Sequence, residues 1–245
     1  FSNAGAHIIY LESEEFEAEK RTTVKVFIER ELRKPDIQHN IESTGYTLDI
    51  FKKELIDCSE LNFLYLRHLF LAAGSGEIVD LLKGGLPDSL DSIYVLLLDR
   101  INRSSGPDFL ETCHPILEIL AVTYQSLSTL QISHFSGIDL NQVNTAIQTL
   151  QPFLDEKLVA KEKQYNLYHR SFRDCLISSK HQEKIWFVES QRAHRCISNF
   201  YLQFAPSGWN GVDAYGFDFL SDHVQNGGEA SQQQLIDIID KYWRI

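Results

Sequence analysis

Several features that define common protein classes are missing from this chain. No run approaches the roughly 18 apolar residues that a membrane span needs, and residues 1–5 do not form a signal peptide. The four cysteines show neither a Cys-x-x-Cys pair nor the regular spacing of metal ligands, which predicts reduced thiols in a cytoplasmic protein. Methionine is absent from all 245 residues, so this is either a fragment with unusual residue usage or a sequence from which modified methionines are missing.

Basic residues are too few for a protein that binds nucleic acid over a broad face. Lys and Arg total 23 against 34 Asp and Glu, and the formal net charge is −11. Affinity for a phosphate backbone depends on clustered Lys and Arg. We therefore expect no nucleic-acid partner, and without a membrane span we expect no membrane partner. The length of 245 residues allows one to three small domains, and a hydrophobic content of 43% is sufficient for a sizeable core.

The residues that hydrolyse nucleoside triphosphates are also missing. A phosphate-binding loop needs Gly-x-x-x-x-Gly-Lys-Ser/Thr, and the chain contains no Gly-Lys pair. No apolar strand ends in paired acids, and the acids between residues 12 and 19 are typical of a solvated loop. Cys113 and His114 are adjacent, so on a helix they point about 100° apart and make a poor nucleophile and base. We predict no catalytic residue, no metal site and no enzyme activity for this chain.

The sequence divides into four predicted segments, of which the first contains a strand and a helix and the second only helices. Residues 1–35 begin with a short apolar run at 6–11 that predicts a buried strand, and a helical pattern follows until Pro35. This combination indicates the end of an α/β core. Residues 36–105 are helical with broad apolar faces, and they predict a small helical domain. Within it Pro87 lies just ahead of an amphipathic helix.

The third segment, residues 106–180, begins with three predicted helices. Pro115 kinks the first helix or marks its start. Ser128 is expected to cap the second, which Gly137 ends, and Asp139 is expected to cap the third. The spacing of the apolar residues is helical in each case.

A β-hairpin completes this segment and leads to one histidine. Two short strands are predicted near 158–161 and 164–168, joined by a tight turn. They deliver His169 to the start of a further helix. Three helices and a hairpin in this order predict a winged-helix domain.

The fourth segment, residues 181–245, returns to a helical pattern. Three helices with apolar stripes predict a second helical domain or the start of a superhelical linker. The predicted fold class is therefore mainly α: a helical bundle, a winged helix and a second helical domain, with a short α/β remnant at the N-terminus.

The order of these segments resembles a known family. The chain looks like the C-terminal part of a NACHT or NB-ARC-like module of the STAND signalling ATPases, from about residue 6 to residue 224. The resemblance rests on the order and spacing of short motifs. They are Asn62-Phe63-Leu64-Tyr65, Gly85-Leu86-Pro87-Asp88-Ser89-Leu90 with Ile93-Tyr94, and Tyr168-His169-Arg170-Ser171-Phe172-Arg173-Asp174-Cys175-Leu176, followed by Trp209, Asp213, Tyr215, Leu220 and His223.

The resemblance implies roles for two residues. Pro87 corresponds to the helical-domain proline that packs on the adenine ring, although a proline at this point also commonly initiates a helix. His169 corresponds to the winged-helix histidine that contacts the β-phosphate of ADP. An imidazole can donate to phosphate and its charge is tunable near neutral pH. A histidine at a strand end can instead donate to a backbone carbonyl.

The resemblance also implies a function for residues 1–35 and for the whole chain. Residues 1–35 would end an α/β nucleotide-binding core, and the chain would be the regulatory, nucleotide-sensing part of an ATPase that switches between ADP and ATP. Its partners would be its own upstream ATPase core and a downstream repeat sensor, with oligomerisation on activation. Because the phosphate loop is missing, we expect no tightly bound nucleotide in this chain alone.

Two alternatives come from other functional classes. A winged-helix transcription regulator would read DNA with the helix at residues 139–150, but that helix carries no Lys or Arg. A passive helical scaffold would leave Pro87 and His169 unrelated to any nucleotide.

Overall fold

The computed structural model describes residues 14–82 and 84–242, and these fall into two compact units divided between Leu96 and Leu97. The predicted strand at residues 6–11 lies outside the described residues. The rest is mainly helical with one small antiparallel sheet, which confirms the predicted mainly-α class. The four-part division of the chain remains a prediction. No helix in the described part is both long and apolar enough to cross a membrane.

The first unit is built from short helices around the central helix α4. Its helices are α1 (Glu14–Glu31), α2 (Pro35–Glu42), α3 (Leu48–Cys58), α4 (Phe63–Gly74), α5 (Ile78–Leu81) and the start of α6 (Leu90–Ser105). Seven of the twelve residues of α4 are buried, because its sequence is apolar on almost every side. Thr47 and Asn62 begin α3 and α4 as caps, each accepting a first-turn backbone N–H.

The second unit begins with the end of α6 and contains the three predicted helices. A π-helical turn (Phe109–Cys113) leads into α7 (His114–Val122), β1 (Leu127–Ser128), α8 (Thr129–Ser136) and α9 (Leu140–Leu150). Pro115 lies in the first turn of α7, directly after the π-helical turn, so it stands where the hydrogen bonding of a continuous helical segment changes from π to α. Ser128 caps α8 through a capping box, and Gly137 ends it at φ 74°. Asp139 caps α9 as predicted.

The predicted hairpin is present, but its strands begin earlier than expected. β2 (Leu154–Val159) pairs antiparallel with β3 (Glu162–Leu167), and the sheet order is β1-β3-β2. The turn is only two residues long, with Ala160 and Lys161 at φ 49° and 71°. Such a turn usually carries Asn-Gly or Asp-Gly, so its position was not evident from the sequence. The predicted three helices and hairpin thus occur in that order, with the unpredicted strand β1 between the first two helices, and the assignment of a winged helix remains a prediction.

Four further helices complete the second unit. They are α10 (Arg170–Ile177), α11 (Ser190–Leu202), α12 (Ala214–Asn226) and α13 (Glu229–Tyr242). α11 packs against α7, α8 and α12 and is the central helix of this part. Trp186, in the segment before α11, is fully buried, and its indole N–H donates to Asp99 at 2.7 Å.

Candidate functional site

His169 lies at the end of the hairpin and is the N-cap of α10. β3 ends at Leu167, and the extended backbone of His169 (φ −151°, ψ 146°) turns the chain into the helix. The sequence therefore placed this histidine correctly at a helix start. Its side chain is exposed.

The hydrogen bonds of His169 determine which ring nitrogen carries the hydrogen. Nδ1 accepts from the backbone N–H of Ser171 at 3.1 Å and lies 2.8 Å from the Ser171 hydroxyl. A backbone N–H is always a donor, so a hydrogen on Nδ1 would point at another hydrogen. The neutral ring therefore carries its hydrogen on Nε2. Across residues 14–82 and 84–242, Nε2 makes no hydrogen bond, and it is available to an external acceptor.

Buried aromatic contacts hold the hairpin end and α10 together. The rings of Phe153 and Phe172 are stacked at a centroid distance of 4.3 Å with planes 5° apart, and both side chains are fully buried. The backbone N–H of Tyr168 donates to the Phe153 carbonyl at 3.0 Å. Because these contacts lie on both sides of His169, its backbone has little freedom to move.

Two arginines near His169 have different surroundings. Arg173 is tied to the body of the unit, because its guanidinium donates to the Thr123 carbonyl at 2.6 Å. Arg170 has a side chain that is 88% exposed and a long 3.7 Å contact with Asp174. The N-terminus of a helix carries a partial positive charge, so this end of α10 is suited to an anion.

Pro87, the other predicted site residue, lies in the first unit and is buried. Its carbonyl accepts from the Tyr65 hydroxyl at 2.5 Å. Burial raises the pKa of Tyr65 far above its ordinary value, so this hydroxyl remains a donor. α6 begins three residues later at Leu90, so Pro87 is not the first residue of that helix. Pro87 and His169 belong to different units, and the role of Pro87 at an adenine ring remains a prediction.

A polar cleft of about 410 Å³ lies beside α9 in the second unit. Asp108 and Glu111 line it from one side, and Asn141, Gln142 and Thr145 of α9 line it from the other. No Lys or Arg is among its lining residues. The helix that would read DNA in a winged-helix regulator therefore borders an acidic cleft, which would repel a phosphate backbone.

A buried histidine pair was missed by sequence reasoning. His194 of α11 and His223 of α12 are joined by a 2.8 Å contact between their Nδ1 atoms, although they are 29 residues apart. The only signal in the sequence is that Tyr215, Phe219 and His223 recur every four residues and so share one face of a helix. The partner helix could not be identified from that pattern.

Comparisons with protein-family models, with curated proteins and with solved structures found no match. The function must therefore be inferred from the described residues themselves.

Proposed function

We propose that the chain is the regulatory, nucleotide-sensing part of a STAND-type signal-transduction ATPase and relays the state of a sensor to an ATPase core. In this proposal His169 donates its Nε2 hydrogen to the β-phosphate of ADP. The observation that carries the proposal is the geometry of His169: Ser171 holds Nδ1, and Nε2 is exposed at the positive end of α10. No catalytic residue is assigned to this chain.

The expected strength of this contact limits what the chain can bind alone. A hydrogen bond to a charged group contributes about 1.5 to 3 kcal/mol. A dissociation constant of 1 mM corresponds to about 4.1 kcal/mol. His169 by itself therefore accounts for millimolar or weaker affinity, and tight binding would require an upstream ATPase core.

A relay requires that His169 move with the rest of its unit. The Arg173 contact with Thr123 ties α10 to the end of α7, and the backbone N–H of Val188 donates to the Leu176 carbonyl at 2.9 Å. The hairpin end is thus connected to the segment that leads into α11. A partner that moves this unit would move His169 toward or away from the phosphate. Such a switch is a two-state equilibrium biased by differential contacts with ADP and ATP.

The test separates the phosphate contact from the structural role of His169. His169→Asn keeps a side chain that caps helices well but removes the Nε2 donor, whereas His169→Ala removes both. ADP is titrated into the ¹⁵N-labelled chain and the amide signals of residues 169–173 are followed. In the wild type we expect these amide signals to shift as ADP is raised through millimolar concentrations. In both variants we expect no such shift.

Two outcomes would contradict the proposal. Because about 1.5 to 3 kcal/mol corresponds to a dissociation constant of roughly 6 to 80 mM, absence of any shift at these amides at about 50 mM ADP would remove the phosphate contact. Equal shifts in the wild type and in His169→Asn would show that ADP binds without His169. Either result would favour the passive scaffold.

The transcription-regulator alternative is tested separately. The exposed residues of α9, among them Asn141, Gln142 and Asn144, are neutral, and two hairpin lysines are paired with acids on the same hairpin. We expect no binding to duplex DNA at 50 mM salt. Binding that weakened steeply as salt increased would support DNA recognition instead.

A further inference from the structure

His194 and His223 face each other inside the second unit and form part of a buried chain of polar groups. Their Nδ1 atoms are 2.8 Å apart, and the Tyr215 hydroxyl lies 2.9 Å from Nε2 of His223. His223 is fully buried and His194 is 8% exposed. Since both nitrogens of His223 have partners, the contact is a specific connection between α11 and α12.

Only one hydrogen fits between the two Nδ1 atoms, because they are 2.8 Å apart. One Nδ1 must donate and the other must accept, so a single hydrogen lies between them. A further proton on either ring would place a positive charge in a site that water does not reach, and protonation of both rings would leave no acceptor between the two Nδ1 atoms. Burial lowers the pKa of His194 to about 4 and that of His223 to about 3.

The groups around the pair come from three other places in the unit. Arg173 of α10 further lowers the pKa of His194, while Asp222 of α12 opposes it. The Tyr124 ring, from the connection between α7 and β1, is 5.3 Å from the His223 ring and 6.3 Å from the His194 ring. Burial raises the pKa of Tyr124 and of Tyr215, so both hydroxyls remain protonated and do not offset a positive charge.

We propose that the His194–His223 pair is an acid-operated latch that holds α12 against α11 while both rings are neutral and share one hydrogen between their Nδ1 atoms, and that releases α12 when the pair takes up protons. This device goes beyond the proposed nucleotide contact and does not depend on it. The latch is closed above pH 6.5, where both histidines are neutral in the open and closed forms. As the pH falls from 6.5 toward 4, the open form takes up protons first, and closure becomes about tenfold less favourable per pH unit for each histidine.

Release should begin at the C-terminal half of α12. The N-terminal half has a separate attachment, because the Asp213 carboxylate accepts from the Tyr201 hydroxyl and from the Gln131 amide, both at 2.7 Å. Those bonds involve no histidine. Loss of the histidine contact therefore frees the part of α12 around His223, while the start of α12 remains attached and α13 is still held to α11 by the buried contact between the Ser198 and Ser231 hydroxyls at 3.3 Å.

The experiment measures amide hydrogen exchange of the chain at pH 7.5, 6.5, 5.5 and 4.5, expressed as protection factors corrected for the intrinsic rate. We expect protection at residues 220–226 to fall between pH 6.5 and 4.5 before that of α8 and α9 changes. His194→Asn retains a donor near the Nδ1 position but cannot titrate. Only His223 then contributes, so the protection factors of residues 220–226 should fall about tenfold per pH unit, less steeply than in the wild type, where both histidines contribute. His134→Asn, at an exposed histidine stacked on Phe200, is the matched control and should behave as the wild type.

Three results would overturn the latch. Protection lost uniformly over α8, α9 and α12 would mean general acid unfolding. If the protection factors of residues 220–226 fell as steeply with pH in His194→Asn as in the wild type, other groups would set the pH dependence. If that variant does not fold, the histidine ring signals of the wild type decide: titration of His194 and His223 near pH 6.5 in the folded protein would contradict the proposal.

Discussion

The hairpin end and the interface between α11 and α12 use the same side chain in opposite ways. His169 contacts a residue only two positions away through one nitrogen and leaves the other exposed. His223 uses both nitrogens for contacts with Tyr215 and with a histidine from another helix, and it is fully buried. An exposed ring with a fixed tautomer is suited to an external ligand, whereas a buried ring with two partners holds helices together. Burial, more than residue type, decides which role is open to a histidine.

The largest effect expected from this comparison is that of His223→Ala. The change would create a cavity and leave the buried polar atoms of His194 and Tyr215 without their partner. We expect a loss of about 3 to 5 kcal/mol in the free energy of unfolding. Urea unfolding at pH 7.5 can be followed through Trp186 and Trp209, which both lie in the second unit. A loss below about 1 kcal/mol would mean that the pair contributes little to stability.

The first unit should be less sensitive to acid than the second. Among the described residues of this unit the buried histidine is His68, which is 3% exposed, and burial lowers its pKa to about 4. Because the neutral form is the buried one, its contribution to stability is present above pH 6.5 and is lost as the pH falls toward 4. Between the two pKa values, one such histidine lowers the free energy of unfolding by about 1.4 kcal/mol for each unit of decreasing pH. Amide protection in α4 should therefore fall about half as steeply as that in α12, and equal slopes would contradict the comparison.

A smaller effect is expected from removing the His169 cap. His169→Ala removes the acceptor for the Ser171 N–H and should lower the free energy of unfolding by about 1 kcal/mol. His169→Asn restores a capping oxygen and should cost only a few tenths of a kcal/mol. Thermal unfolding of both variants checks this difference. Equal losses in the two variants would show that the imidazole, and not the cap, stabilises this end of α10.

The smallest effect is expected at Arg170. Its contact with Asp174 is 3.7 Å long and lies on the surface, where exposed ion pairs contribute about 0 to 1 kcal/mol. Arg170→Ala should change stability by less than about 0.5 kcal/mol. In the ADP titration it should weaken binding only modestly, and less so as salt increases. A larger effect of Arg170 than of His169 on ADP binding would move the phosphate contact from the imidazole to the guanidinium.

Local signals in the sequence were sufficient for several elements of the fold. Ser128, Gly137 and Asp139 act as caps or as a helix end because their side chains or dihedral freedom satisfy helix termini without help from distant residues. The hairpin was also predicted, but its turn at Ala160 and Lys161 was misplaced. Neither residue favours positive φ, so the turn depends on the pairing of the strands around it.

The candidate site was only partly predictable. The position of His169 at a helix start followed from the pattern of strands and helices. Its capping contact with Ser171 did not, since histidine is not among the common capping residues. The His194–His223 pair depends on how α11 packs against α12, and the four-residue spacing of Tyr215, Phe219 and His223 indicates a shared helix face without identifying the helix that packs on it.

The strand order of the small sheet has a consequence for the behaviour of the chain at high concentration. β2 lies at the edge of the sheet, with Leu158 73% exposed, and among residues 14–82 and 84–242 no strand pairs with its outer side, which can therefore pair with another molecule. Glu156 and Lys157 interrupt this edge with charge, and charge is its main protection against self-association. At 0.1 M salt the Debye length is about 10 Å, so exposed charges farther apart than this are largely screened, and the distance shortens as salt increases. Concentrated salt should therefore promote association through the hairpin, and crystals or fibres grown under such conditions should contain a continuous sheet across neighbouring molecules.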